Sequence, residues 1–346
     1  MTKTAKTIKI SFSPRDEAKK MLQVLRDRDQ YVLENRFGLK TGKKKTLDSI
    51  GKEFSVTRER VRQIENAALD SLRKSNTVKN SGVFNELREI IHGLGGVVPE
   101  SHLMSVVADN KIDQNHINLY LVLGDEFHLQ RETDDFNTHW YIDKDIRNSV
   151  YGALRILHKE MTDNDLLSER DMVLKFLDRL DGIEDRRVDN YIAKLFLALS
   201  KKIGVNKLGE WGRANSPNIH ARGVRDLAHL AMRKNGSPMH FTEIANVIYK
   251  MFGKKANPLT VHNEVIKDDR FVLVGRGLYG LCEWGYRPGV LREVITSLIQ
   301  ENGPMSAEQV LAAVRKERHL KDATILATLK NKKYFKRDES SLYYCV

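Results

Sequence analysis

The feature that most limits how this chain can fold is a pattern that returns four times in its C-terminal three quarters. Amphipathic helical stretches are followed by two short β-like runs around a polar or glycine-containing turn. The closing pieces are EFHLQRETDDFNTHWYID (126–143), KKIGVNKLGEWGR (201–213), RFVLVGRGLYGLCEW (270–284) and KKYFKRDESSLYYC (332–345). A helix-like stretch precedes each: NHINLYLVL, VDNYIAKLFLALS, TVHNEVI and ATILATLK. Upstream of these, the first, third and fourth copies carry a short turn and a small helix, in VVPESHLMSVV, PMHFTEIANVI and PMSAEQVLAAV.

Helix, short helix, helix and hairpin make up the winged-helix form of the helix-turn-helix. The expected fold is therefore mainly α, an N-terminal helix-turn-helix followed by tandem winged-helix modules with short β-hairpins. The expected order is a basic flexible tail (1–18), a helix-turn-helix (19–78) and winged units at 82–145, 147–213, 219–287 and 288–346. Linkers are expected near 79–82, 144–147, 214–223 and 287–289, where polar, Gly and Pro residues gather. The second unit fits least, because its middle, MTDNDLLSERDMVLKFLDRLDGIEDRRVDN, is longer and acidic.

Charge narrows the class of partner. The formal net charge of +12 points to an acidic partner such as nucleic acid, and residues 1–80, with 20 Lys and Arg against 10 Asp and Glu, supply nearly all of it. The winged array is almost neutral, so some of its units are expected to bind protein or pack on each other rather than hold phosphates. A basic tail alone would give the same imbalance, so the pattern within this stretch matters.

Residues 22–74 read LQVLRDRDQYVLENRFGLKTGKKKTLDSIGKEFSVTRERVRQIENAALDSLRK. Thr46 is an N-cap, with Asp48 in the first turn of a helix that buries Leu47, Ile50 and Phe54. Ser55 and Val56 make a turn. Thr57 then caps a second helix, with a buried stripe of Val61, Ile64, Ala68 and Leu72. The opposite face carries Arg58, Glu59, Arg62, Gln63 and Asn66. In a major groove, arginine reads guanine, glutamine reads adenine and glutamate accepts from the cytosine amino group. Lys43, Lys44, Lys45, Thr57, Arg60, Arg73 and Lys74 flank that face and would hold phosphates. A solvated face of mixed charges, paired along the helix, remains the plain alternative.

The run RDRDQYVLENRFGL followed by KTLDSIGKEFSVTRERVRQIENAALDSLRK resembles region 4 of primary bacterial sigma factors. The resemblance covers about 55 residues, and VTRERVRQIE is its most specific part. It implies that the second helix reads the −35 promoter element through Arg58, Glu59, Arg62 and Gln63. It further implies docking on the β flap of core RNA polymerase by the helix holding Tyr31, Val32, Leu33, Arg36 and Phe37. The third winged unit (about 220–287) resembles the HARE-HTH family, which includes the N-terminal domain of the polymerase delta subunit; RFVLVGRGLYGLCEW carries that likeness. The sigma pattern also has a departure. Only about 20 residues, with Phe12 as their single aromatic, precede the match, which leaves no room for the aromatic-bearing domain that captures −10 bases. The expectation is a promoter-binding factor that is not a self-sufficient sigma factor. The alternatives are a region 4 mimic that regulates polymerase without reading DNA, and an accessory DNA-binding protein of a restriction or defence system.

Other motifs point away from catalysis. Gly275-Arg276-Gly277-Leu278-Tyr279-Gly280 fits GxGxxG, but a strand-like run follows it where a dinucleotide site needs a helix. It reads as a hairpin tip, from which Arg276 would touch DNA or simply be solvated. His92, His102, His116, His128 and His139 lack metal-ligand spacing, and Cys282 and Cys345 are far apart. No nucleophile elbow or Walker loop is present. The expectations are no enzyme activity, no metal and no cofactor. Neither a membrane-spanning run nor a secretory core segment is seen, so the expected location is the cytoplasm, in association with the nucleoid. Expected partners are double-stranded DNA and core polymerase. A second copy of the chain or another protein would meet the winged units.

Overall fold

The computed structural model describes residues 8–182 and 188–346; the rest of the expected tail, and residues 183–187 within the acidic stretch, lie outside them. The chain divides into two compact bodies, Met1–Gly204 and Val205–Val346.

The first body opens with helices α1 (Pro14–Leu22), α2 (Asp27–Phe37), α3 (Leu47–Phe54), α4 (Arg58–Lys74) and the single turn α5 (Asn76–Lys79). Local chemistry sets their ends. Ser13 Oγ accepts from the Asp16 amide, with Pro14 at the first helical position of α1. Thr46 Oγ1 accepts from the Ser49 amide and Thr57 Oγ1 from the Arg60 amide, as their sequence positions predict. Between α3 and α4 the chain turns at Ser55, whose φ of 53° is left-handed. Gly51 lets the turn close: a Cβ there would stand 2.6 Å from the Val56 carbonyl oxygen. Val32, Ile50, Val61 and Ile64 form a small core between α2, α3 and α4.

The chain continues with α6 (Val83–Gly93), β1 (Val97–Pro99), α7 (Glu100–Val107), α8 (Lys111–Leu123), β2 (His128–Gln130) and β3 (His139–Tyr141). The strands make one antiparallel sheet in the order β1-β3-β2, with Val98 opposite Trp140 and Leu129 on its other side. Then come α9 (Lys144–Glu160), α10 (Glu169–Leu177) and α11 (Asn190–Leu197), and the chain passes the division at residue 204 through the strands β4 (Ile203–Val205) and β5 (Trp211–Arg213).

The second body holds α12 (Val224–Asn235), β6 (Met239–His240), α13 (Phe241–Phe252), α14 (Pro258–Ile266), β7 (Phe271–Gly275) and β8 (Leu278–Leu281), with sheet order β6-β8-β7. It ends with α15 (Leu291–Asn302), α16 (Ala307–Glu317), α17 (Asp322–Leu329), β9 (Phe335–Arg337) and β10 (Tyr343–Cys345). Met305 bridges Tyr343, adding a one-residue third strand to the β9–β10 pair. The GxGxxG run lies in the β7–β8 hairpin, with Gly277 at φ 69° in its turn.

Two expectations about domain organisation are corrected. Residues 8–18 are not a flexible tail. Ile8, Ile10 and Phe12 pack on the large core, the Ile8 amide donates to the Val106 carbonyl at 2.7 Å, and α1 begins at Pro14. No linker separates the first and second units either. Asp143 caps α9 directly after β3, Tyr151 stacks on Phe136 with centroids 3.7 Å apart, and Arg147 lies over Tyr141 at 4.5 Å. Aromatic packing fuses what the polar residues at 144–147 suggested was a joint.

The main surprise is α8. As the third helix of the winged unit expected at 82–145 it would be the one to enter a groove, yet Asn115, His116, Ile117, Leu119, Tyr120, Leu121 and Leu123 are all buried. It packs on α1, α2 and α4 as well as on its own unit. One continuous core includes Met21, Leu33, Phe37 and Leu72 together with Leu87, Ile117 and Tyr120. At about 1.5–3 kcal/mol for each large apolar side chain fully buried, this contact stabilises both partners.

Candidate nucleic-acid interface

Helix α4 presents Arg58, Glu59, Arg62, Gln63 and Asn66 on its exposed side, while Val61, Ile64, Ala68, Leu69 and Leu72 face inward. This follows from the 3.6-residue period: the inward set lies at i, i+3, i+7, i+8 and i+11. The exposed set occupies the first half of the helix. Arg73, in the last turn, donates through Nη2 to the Val122 carbonyl at 2.8 Å and so fastens the far end of α4 to α8. The anchor and the exposed polar face are therefore at opposite ends of one helix.

The exposed side chains are pre-paired. Arg62 makes a fork with Glu59, Nε to Oε2 at 2.8 Å and Nη2 to Oε1 at 2.6 Å. Hydrogen bonding from Arg62 holds the Glu59 carboxyl below its usual range, and the arginine is raised in return. Arg60 Nη1 donates to Gln63 Oε1 at 3.2 Å. Both pairs are solvent-exposed, so they cost little to open. They combine the plain charged-face alternative with a surface that a duplex can reorganise.

The flanking cations behave unequally. Thr57, Arg60, Lys43, Lys44 and Lys74 are exposed. Lys45 is not a free phosphate ligand: its Nζ donates to Glu53 Oε1 at 2.7 Å and lies 5.8 Å above the Tyr31 ring. Arg73 is likewise committed, to Val122 and to Asp70 at 3.1 Å, so its expected phosphate role is corrected to an anchoring one.

The expected polymerase-docking helix also needs correction. Val32 and Leu33 are fully buried and Phe37 nearly so, because α2 is sandwiched between α3, α4 and α8 and its apolar stripe is core. Arg36 is half-buried, bonded to Glu65 at 3.1 Å and to the Lys45 carbonyl at 2.7 Å, and so fixes the loop ahead of α3. Tyr31 alone of the set is exposed, edge-on to Phe54 with its hydroxyl donating to Glu53 at 2.7 Å. Arg276 is exposed at the β7–β8 turn.

Asn115 is a residue that sequence reasoning missed. Its buried Nδ2 donates to the carbonyls of Gly38 and Gly42, each at 3.1 Å, and holds the turn that leads to Lys43–Lys45. Its position at the head of NHINLYLVL, beside the equally polar His116 and Asn118, gave no signal that set it apart. Among the described residues, no group of three or more His, Cys, Asp or Glu is placed to hold a metal ion, and no helix is long and apolar enough to cross a membrane. His139 is buried between the Asn137 carbonyl and the Tyr151 hydroxyl, and His116 bonds the Ile112 carbonyl.

A capped short helix, a left-handed turn and a longer helix with an outward polar face agree with a family of known proteins. Residues 21–74 match Sigma-70, region 4. The region 4 segment is 48% identical over 65 residues to the RNA polymerase sigma factor SigA of Clostridium acetobutylicum, covering 19% of this chain and 17% of that protein. It is also 48% identical over 59 residues to SigA of Lactococcus lactis subsp. cremoris, covering 17% of this chain and 16% of that one. The chain thus spans about a sixth of the length of the curated relatives it matches. The match to the region 4 model ends at residue 74, the last residue of α4.

Proposed function

We propose that this protein is a DNA-binding transcription factor that reads −35-like promoter DNA through the major groove and contacts bacterial RNA polymerase. The observation that carries this reading is the exposed first half of α4, where Arg58, Glu59, Arg62, Gln63 and Asn66 stand clear of the packing that anchors its far end. Arginine and glutamine on a helix face distinguish guanine and adenine edges by about 1–3 kcal/mol per good bidentate pair. Arg60, Lys43, Lys44, Lys74 and the Thr57 hydroxyl would position the helix on phosphates. With Val32, Leu33 and Phe37 in the core, the polymerase contact rests on the outer side of α2, where Arg28 lies 5.4 Å over Phe54 and Tyr31 is braced by Glu53. The same burial weighs against the mimic reading, which needs that apolar face for docking.

The remainder is proposed to be winged-helix units at 82–145, 147–213, 219–287 and 288–346, the third of HARE-HTH type. The strand orders β1-β3-β2 and β6-β8-β7 support this for the first and third. These units extend contacts to upstream DNA, polymerase or another protein, and the chain works in the cytoplasm at the nucleoid. The factor is not self-sufficient for promoter melting: its exposed aromatics among the described residues, Tyr31, Tyr191, Tyr249 and Tyr344, sit on separate elements and make no base-capturing surface.

Sequencing the DNA recovered with the protein, with and without core polymerase, tests the reading. Enrichment of one −35-like element that disappears in Arg62→Ala/Gln63→Ala is expected; recovery without sequence preference would refute it. Core polymerase given this protein alone is expected to yield no abortive transcripts, and robust melting would overturn that part.

A further inference from the structure

The cationic surface around region 4 continues past residue 74, onto α8. The first turn of α8 lies against the loop that enters α3. A Cβ on Gly42, whose φ is 75°, would stand 3.8 Å from Lys111 Cβ and 3.9 Å from its Cγ, so the Lys111 stem runs along that loop. Asn115 holds the loop through the Gly38 and Gly42 carbonyls, and Lys44 Nζ donates to Asn118 Oδ1 at 3.4 Å. Lys43, Lys44 and Lys111 thereby share one exposed patch.

The carboxylates in this neighbourhood are mostly engaged elsewhere: Glu34 with Lys40, Glu53 with Lys45, Glu65 with Arg36 and Asp113 with Arg15. Among the described residues, none lies within ion-pair distance of Lys43, Lys44 or Lys111. Glu100 is near enough to favour the charge on Lys44. Partial desolvation nonetheless pushes that lysine below its ordinary value, with Lys111 and Arg36 adding repulsion. A cluster of like charges is strained until an anion joins it. Its place suits one. In a helix-turn-helix the first helix crosses the DNA backbone, and α3 begins two residues after Lys45.

We propose that the DNA-backbone surface is composite: Lys43 and Lys44 of region 4 and Lys111 of the first winged unit hold phosphates of the duplex that α4 reads. Asn115 and Asn118 are positioning residues for this contact. In this way α8 serves DNA binding without entering a groove; its N-terminal lysine touches the backbone while its body is core. The inference rests on the DNA-reading function proposed above and adds a second module to the contact.

Phosphate contacts release counterions, so each one adds about 0.9 to the slope of log affinity against log salt concentration, whatever the base sequence. The test is fluorescence anisotropy of the full chain over a salt series, on a labelled duplex carrying a −35 element and on a scrambled duplex. Lys111→Ala is expected to lower the slope by about 0.9 on both, and Lys44→Ala/Lys111→Ala by roughly twice that. The affinity ratio between the two duplexes should not change. Lys111→Arg should restore the slope, as loss of a merely structural contact would not. An unchanged slope in Lys111→Ala, with wild-type preference for the −35 duplex intact, overturns the composite surface and leaves the DNA-reading function standing. Equal wild-type affinity for the two duplexes removes the −35 function while the slope still scores Lys111. Absence of salt-dependent binding to either duplex overturns both.

Discussion

Glu59 and Arg62 form a pair that the proposed duplex contact would open. In the free protein the fork between them balances the arginine's charge with a carboxylate one turn away. On a duplex the same guanidinium would turn to a guanine edge and the carboxylate to a cytosine amino group. Glu59→Ala is therefore expected to raise affinity for scrambled duplex, by removing a negative charge that repels phosphates, and to lower discrimination at one base pair by about 1–3 kcal/mol. Titration against a panel of single-base variants checks this; an unchanged panel would mean that Glu59 is only a partner for Arg62. At this scale the exposed polar face of α4 was legible, since the buried stripe of a capped helix leaves its polar residues no side but the one turned to solvent or a ligand. The docking set was not, because Val32, Leu33 and Phe37 have the same apolar character whether they meet a partner or their own core. Lys45 and Arg73 were misread for a similar reason: a lysine or arginine in sequence does not show whether a carboxylate or a carbonyl will claim it.

Among the elements, the helix-turn-helix depends on close backbone approach at one position. Gly51→Ala would drive a methyl into the Val56 carbonyl, 2.6 Å away, at a turn whose Ser55 is already left-handed. It is expected to cost about 1–3 kcal/mol, in line with overpacking elsewhere, and to weaken DNA binding by tilting α4. Chemical unfolding read beside DNA affinity checks both, and a neutral substitution would show that the turn tolerates a shift. Asn115→Ala leaves two turn carbonyls without their buried donor, an expected loss of about 1–3 kcal/mol. Stability equal to wild type would mean that water replaces the amide. Helices and hairpins could be anticipated from period and turn chemistry. The third strands could not: β1, β6 and the Met305 bridge are three residues or fewer, too short to show alternation. The burial of α8 escaped notice because a helix whose C-terminal half is apolar reads alike in a lone unit and between two.

For the whole molecule, the recurrence of helices and short hairpins was legible and their grouping was not. Six segments were expected and two bodies are found, since the joints at residue 79 and residue 144 are bridged by apolar and aromatic packing that no linker composition reveals. Acid stability should report on the second body. His229 in α12 is 3% exposed, and burial, with Arg270 and Arg233 adding repulsion, pushes its pKa down to about 4 from the ordinary 6.5. Between those values the unfolded chain holds a proton that the folded one refuses. Stability is thus complete above about pH 6.5 and declines as pH falls toward about 4. Unfolding series at several pH values, compared with His229→Leu, should show a shallower decline in the variant, whereas identical slopes would exclude His229 as the source.

The central claim is that the first half of α4 enters the major groove. Methylation of guanine N7 by dimethyl sulfate reads that groove directly. On a −35 duplex saturated with the full chain, protection of at least one guanine is predicted, together with its return in Arg62→Ala or Arg58→Ala under conditions that keep the duplex bound. Guanines methylated equally in free and bound duplex would contradict the account.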